Sequence, residues 1–66
     1  MITVNNREIE FHQGMTLAEA IKESGEMLDT MTIVFMDNKV LQHNQLNEEI
    51  LEGFENIKLL KIVSGG

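Results

Sequence analysis

The sequence predicts an α+β domain, a small sheet covered on one face by a single helix, and three features carry that prediction. Short alternating or β-branched runs stand at both ends and in the middle of the chain: Ile2-Thr3-Val4, Thr32-Ile33-Val34-Phe35-Met36 and Ile57-Lys58-Leu59-Leu60-Lys61-Ile62-Val63. Only the segment beginning at Thr16 joins a helix start signal to helical spacing of its apolar residues. No Pro/Gly/Ser-rich linker, repeat or low-complexity tract divides the 66 residues. The chain therefore reads as one domain over residues 1–63 with a tail over 64–66, built as a sheet of four to five strands and one main helix.

The first element is a hairpin. Ile2 and Val4 point one way and Thr3 the other, Asn5-Asn6 interrupts, and Glu8-Ile9-Glu10-Phe11 alternates again. Asparagine tolerates the left-handed backbone that a tight turn requires. Thr16-Leu17-Ala18-Glu19 then has the form of a capping box, in which the threonine oxygen takes an orphan helix N–H and the glutamate reaches back. Leu17, Ala20 and Ile21 make one apolar stripe, Glu19, Lys22 and Glu23 face water, and Gly25 supplies the stop.

Residues 32–36 are too short and too β-branched for a helix and form the next strand. Asp37-Asn38 supplies turn chemistry, and Val40-Leu41 pairs back. Residues 42–56 are polar and are expected to form a loop with a short helical turn, anchored by Leu46, Ile50, Leu51 and Phe54. Residues 57–63 are the last strand, and Ser64-Gly65-Gly66 follows.

Composition removes several function classes. The chain has 5 Lys+Arg against 11 Asp+Glu, a net charge of −6, so it has no basic face with which to release counterions from nucleic acid, and an anionic membrane surface is disfavoured for the same reason. It has no cysteine, hence no disulfide framework, Cys-based metal site or thiol nucleophile. No apolar run approaches the roughly 18 residues of a membrane span, and the expected compartment is the cytoplasm. His12 and His43 are isolated and read as surface residues, and Glu48-Glu49 lies in a polar stretch with no sign of the burial that acid/base work needs. Ser24 and Ser64 have no histidine partner in a recognisable arrangement, and no helix follows Gly65-Gly66 to make a phosphate loop. Nothing here reads as an enzyme, and no bound cofactor or metal is expected.

The tail is different. Glycine has no Cβ, so Gly65-Gly66 makes the thinnest possible chain, fit to thread a narrow channel. Three residues beyond the last strand reach about 10 Å, enough to carry the C-terminal carboxylate of Gly66 into another protein. That carboxylate, with an ordinary pKa of about 3.5, is ionised at neutral pH and acylates nothing until it is activated. A partner holding ATP can convert it to an acyl-adenylate, which a sulfur or amine nucleophile opens.

From Met1-Ile2-Thr3-Val4-Asn5 through the Thr16-Leu17 helix start to Ile62-Val63-Ser64-Gly65-Gly66, the whole chain resembles the ThiS family of sulfur carriers in thiamin biosynthesis. The resemblance implies a β-grasp, ubiquitin-like fold. It also implies a thiocarboxylate formed at Gly66 after adenylation by a ThiF-type enzyme that uses ATP. A sulfur donor protein supplies the sulfur, which passes to a ThiG-type thiazole synthase. Terminal Gly-Gly also closes MoaD-like subunits of molybdopterin synthase and ubiquitin-like modifiers, so the motif names a chemistry better than a pathway, and a plain ubiquitin-like binding module is the remaining alternative. Two turns depart from the family's habit: Asp37-Asn38 stands where Asn-Gly is common, and Glu52-Gly53-Phe54 where Asp-Gly-Asp is.

Alternation in the last strand separates Ile57 and Leu59 from Lys58, Leu60 and Ile62. With the first pair under the helix, Leu60 and Ile62 are exposed beside the tail and form a docking patch, which Val34 is expected to join from the neighbouring strand. The acidic surplus at Glu8, Glu10, Glu48, Glu49, Glu52 and Glu55 reads as a solvated face that can also steer docking onto a basic rim.

Overall fold

A computed structural model of the chain describes residues 1–62; Val63, Ser64, Gly65 and Gly66, and with them the expected boundary between domain and tail, lie outside the described residues. Five strands form one sheet in the order β2-β1-β5-β3-β4, where β1 is Ile2–Val4, β2 Arg7–Ile9, β3 Thr32–Met36, β4 Lys39–Leu41 and β5 Asn56–Lys61. The sheet is mixed: β1 runs parallel to β5 and the other pairs are antiparallel. A single α-helix, α1 (Leu17–Ser24), covers one face.

Both hairpins close as their sequences require. Asn5 and Asn6 have φ of 51° and 69°, and Asp37 and Asn38 have 51° and 70°, so each pair sits in the left-handed region that a two-residue turn between twisted strands demands. The first hairpin is shifted from the sequence expectation. Its return strand begins at Arg7 and ends at Ile9, which pairs with Ile2 on the core side. Phe11 lies past the strand with its ring against Gly53, where an added Cβ would stand 3.2 Å from the ring at a φ of +118°. Only glycine fits there.

The capping box forms. The Glu19 N–H donates to Thr16 Oγ1 at 3.2 Å, and the Thr16 N–H donates to Glu19 Oε1 at 3.2 Å. Gly25 ends the helix in the left-handed conformation, φ 81°. Arg7 Nη1 donates to the Ser24 carbonyl at 2.8 Å, placing a guanidinium at the negative end of the helix. Ser24 is buried and satisfied: its hydroxyl donates to the Ile21 carbonyl and accepts from the Glu26 N–H.

The segment between β4 and β5 contains the expected short turn, a 3-10 helix over His43–Gln45. Leu46 and Leu51 anchor it in the core as expected, whereas Ile50 and Phe54 are 55% and 67% exposed and anchor nothing. Backbone does the remaining work. The carbonyls of Glu49 and Leu46 accept the N–H groups of Leu17 and Ala18, and the Leu51 N–H donates to the Met15 carbonyl. Two of the helix's orphan N-terminal donors are thereby satisfied by the loop, which explains how a polar stretch holds its place over the helix start. The core joins Ile2, Val4, Ile9, Met15, Leu17, Ala20, Ile21, Val34, Leu41, Leu46, Leu51 and Ile57 into one cluster between helix and sheet.

Candidate functional site

The candidate site is the end of β5 and the helix-free face around it. β5 alternates as the sequence predicts. Ile57 is fully buried and Leu59 packs on the core, while Lys58, Leu60 and Ile62 point to the open face, with Leu60 54% and Ile62 48% exposed. Val34 does not join them. It pairs directly with Leu59, not Leu60, and cross-strand partners share a face, so Val34 is fully buried on the core side of the sheet. The residues that do lie beside Leu60 are its partner Ile33, and Phe35 opposite Lys58, which is followed across the sheet by Val40 opposite Phe35. Ile33 and Phe35 are half-buried, and Val40 is exposed.

This face is apolar toward β3, β4 and the end of β5, and polar toward β1 and β2, where Glu8, Thr3 and Asn56 line up in register. Two open depressions flank the Phe35–Lys58 pair. One, of about 330 Å³, is edged by Asp37, Asn38 and Asn56. The other, of about 450 Å³, is edged by Asn5, Asn6, Leu59 and Leu60.

Three polar side chains that alternation gives no reason to single out hold β5 in place. Asn5 Oδ1 accepts the Leu59 N–H at 2.9 Å, and Asp37 Oδ1 accepts the Asn56 N–H at 3.0 Å. Glu55, only 6% exposed, turns its carboxylate back on the preceding loop, where it accepts the N–H groups of Glu52, Gly53 and Phe54 at 2.7, 3.0 and 3.2 Å. Burial pushes this carboxyl upward, but the backbone donors outweigh it and hold the group below its ordinary value. At the far end of β5, the Ile62 N–H donates to the Met31 carbonyl at 2.9 Å. Asp29 fixes that corner by accepting from the Thr32 hydroxyl and the Met31 N–H, both at 2.9 Å, and these bonds lower its pKa. His43 is exposed but engaged: its Nε2–H donates to the Thr32 carbonyl at 2.6 Å. His12 stands 3.6 Å from Glu19 on the surface. Among the described residues, no group of three or more His, Cys, Asp or Glu is arranged to hold a metal ion.

The remaining expected site residues, Ser64, Gly65 and Gly66, lie outside the described residues. They follow in sequence on β5, which ends at Lys61, with the exposed apolar side chains of Leu60 and Ile62 on either side of that end. The model of the ThiS family matches residues 2–66 and so includes the terminal Gly-Gly. The chain belongs to the ThiS family. Membership supports the role of a sulfur carrier in thiamin biosynthesis, a small carrier protein and not an enzyme.

The fold agrees with that of a family member. The crystal structure of a thiamine biosynthesis protein, ThiS, from Geobacter metallireducens superposes with a TM-score of 0.76 over 98% of this chain and 97% of that one, at 15% identity. The five-stranded sheet with one helix is therefore a β-grasp. None of the curated proteins compared matches the chain. Among the described residues, no helix is long and apolar enough to cross a membrane. At the two turns where the sequence departs from the family's habit, this chain has positive backbone φ angles. Asp37-Asn38 takes the left-handed pair of angles, and Gly53 has the positive φ that its crowded site requires.

Proposed function

We propose that the chain carries sulfur as a C-terminal thiocarboxylate on Gly66, with β5 and its helix-free face presenting the tail to the enzymes that load and unload it. The observation that carries this reading is the position of the exposed Leu60 and Ile62: they stand at and just past the end of the last strand, one residue, Val63, short of Ser64-Gly65-Gly66, in a chain of the ThiS family. An apolar pair beside a chain end that can enter a narrow channel gives an enzyme something to grip while the tail goes in.

The chemistry needs ATP in a ThiF-type partner. A carboxylate oxygen of Gly66 attacks the α-phosphorus, pyrophosphate leaves, and an acyl-adenylate results. The persulfide sulfur of a donor protein attacks the carbonyl carbon, AMP leaves, and a thiol then reduces the acyl disulfide to free the thiocarboxylate and an oxidised thiol partner. A ThiG-type thiazole synthase receives the sulfur. The carrier's residues do no acid/base work in these steps. They hold the chain end and exclude competing contacts, and Ser64 and Gly65 keep it slender.

The test is intact-mass analysis of the protein after incubation with a ThiF-type enzyme, ATP and a sulfur donor. Replacement of one terminal oxygen by sulfur is expected in the full chain and in no variant lacking Gly66. Sulfur incorporation into the Gly66 deletion would overturn the reading.

A further inference from the structure

β5 changes its neighbours part-way along. β1 pairs with it only at Asn56 and Ile57. The Asn5 N–H still donates to the Ile57 carbonyl at 2.9 Å, and Asn5 Oδ1 accepts the Leu59 N–H, after which the chain turns away into β2. β3 continues beside β5 as far as Lys61, and the Met31 carbonyl reaches Ile62. Backbone groups of a strand alternate sides, so those of Ile57, Leu59 and Lys61 point toward β1, and those of Lys58, Leu60 and Ile62 toward β3. Among the described residues, nothing therefore pairs with the Leu59 carbonyl or with the N–H and carbonyl of Lys61. The 450 Å³ depression edged by Asn5, Asn6, Leu59 and Leu60 lies along this gap.

We propose that this open edge takes an extended strand of the adenylating enzyme, added to the sheet where β1 would have continued. The inference rests on the reading that the tail is delivered to such an enzyme, and it adds how delivery is aligned. A row of backbone donors and acceptors is the recognition element of strand addition. Here the row runs directly into the tail, so an added strand fixes the direction in which the chain leaves the domain. From Lys61, the five residues to Gly66 reach at most about 17 Å, and docking at the edge thereby sets the distance from the enzyme's strand to its nucleotide site.

A second copy of the chain fits the edge poorly. Any such pairing brings together two bodies that each carry a net charge of −6, and a two-fold axis at Lys61 would also set lysine against lysine. The outer strands β2 and β4 are only three residues long and carry charged residues, Arg7 and Glu8 in one and Lys39 in the other, which blunts them as pairing sites. Lys58 and Lys61, two of the chain's five cations, flank the open edge and favour an enzyme segment bearing carboxylates.

The 66-residue chain is short enough for chemical synthesis, so the Leu60–Lys61 amide can be replaced by an ester that removes one N–H and keeps both side chains. In pyrophosphate exchange with a ThiF-type enzyme from the same organism, the ester is expected to raise KM for the carrier about 10-fold with kcat retained. An ester at the Lys61–Ile62 bond removes a donor already given to Met31 and is expected to lower the melting temperature instead. Hydrogen exchange gives the second readout: the Lys61 amide exchanges freely in the carrier alone and is protected at least about 10-fold in the complex. If the wild-type chain is adenylated while both the KM of the Leu60–Lys61 ester and the exchange of Lys61 stay unchanged, the edge proposal falls and the carrier reading stands. Protection of Lys61 that grows with the carrier's own concentration, without enzyme, would assign the edge to a second copy and also overturn it. No exchange at all with the wild type would bring down the carrier reading and the edge proposal together.

Discussion

The two ends of β5 share one sequence run but live in different surroundings: Asn56 and Ile57 lie between β1 and β3 with the Ile57 side chain fully buried, whereas Leu60, Lys61 and the Ile62 that follows have neighbours on the β3 side only and expose two large apolar side chains. The first half is held by side chains as well as ladders, since Asp37 accepts the Asn56 N–H and Glu55 ties down the approach, while Asn5 accepts the Leu59 N–H where the two halves meet. The second half has the Met31 contact alone at its end. A carrier needs both conditions in one strand. The central half gives a thin domain its stability, and the edge half leaves backbone and side chains free for an enzyme at the point where the tail begins.

The sharpest way to break this contrast is to attack the central half. Ile57→Ala removes a side chain that fills the middle of the core, and is expected to cost about 3 kcal/mol in urea unfolding. In a domain of this size that is a large share of the total stability, so partial unfolding at 37 °C should accompany it. A loss under about 1 kcal/mol would mean that the two halves of β5 do not differ in the way described.

Glu55→Gln comes next, at about 2 kcal/mol near neutral pH, because three backbone N–H groups lose their shared carboxylate and face an amide with one acceptor oxygen. The pH dependence follows from the lowered pKa. The unfolded chain binds this proton at the ordinary value of 4.5 and the folded one only at lower pH, so the stabilisation is present in full above 4.5 and is lost as pH falls toward the folded value. Urea midpoints of wild type and variant should therefore draw together as pH is lowered from about 5 through 4.5 and below. Parallel curves across that interval would contradict the role given to Glu55.

Thr16→Ala is expected to cost about 1 kcal/mol, measured in the same way, by removing the cap of the helix that covers Ile57. This cap was legible in the sequence, and the reason is physical: Thr16, Glu19 and Gly25 act over three or four residues, so local order alone specifies them. The hairpin turns at Asn5-Asn6 and Asp37-Asn38 were legible for the same reason. Val34 was not. Ile33, Val34 and Phe35 are all apolar, so their own alternation does not say which faces the helix, and only the register with β5, Val34 on Leu59, settles it. Glu55 was hidden likewise among acidic neighbours, because its role depends on a loop folding back onto its own carboxylate. Ile50 and Phe54 mark the opposite error, in which hydrophobicity stood for burial although backbone bonds to Met15, Leu17 and Ala18 do the anchoring. Gly65 and Gly66 were singled out by composition and position alone, and lie outside the described residues.

The smallest effect on stability is expected where the effect on function is large. Leu60→Ser changes a side chain on the helix-free face and should shift the urea midpoint by no more than the equivalent of about 0.5 kcal/mol, since more than half of Leu60 is already exposed to water in the free protein. In pyrophosphate exchange with a ThiF-type enzyme, KM for the carrier should nevertheless rise about 10-fold, because an apolar contact that is desolvated only in the complex contributes only there. Val34→Ser should behave in the reverse way, destabilising the domain by at least about 2 kcal/mol through a hydroxyl placed in the core, with no direct contribution to docking. The pair thus separates the two faces of one sheet at adjacent strands. If Leu60→Ser unfolds the protein, Leu60 belongs to the packing and not to a free face; if its KM matches wild type, the exposed end of β5 is ordinary surface, and the grip on the tail must come from elsewhere.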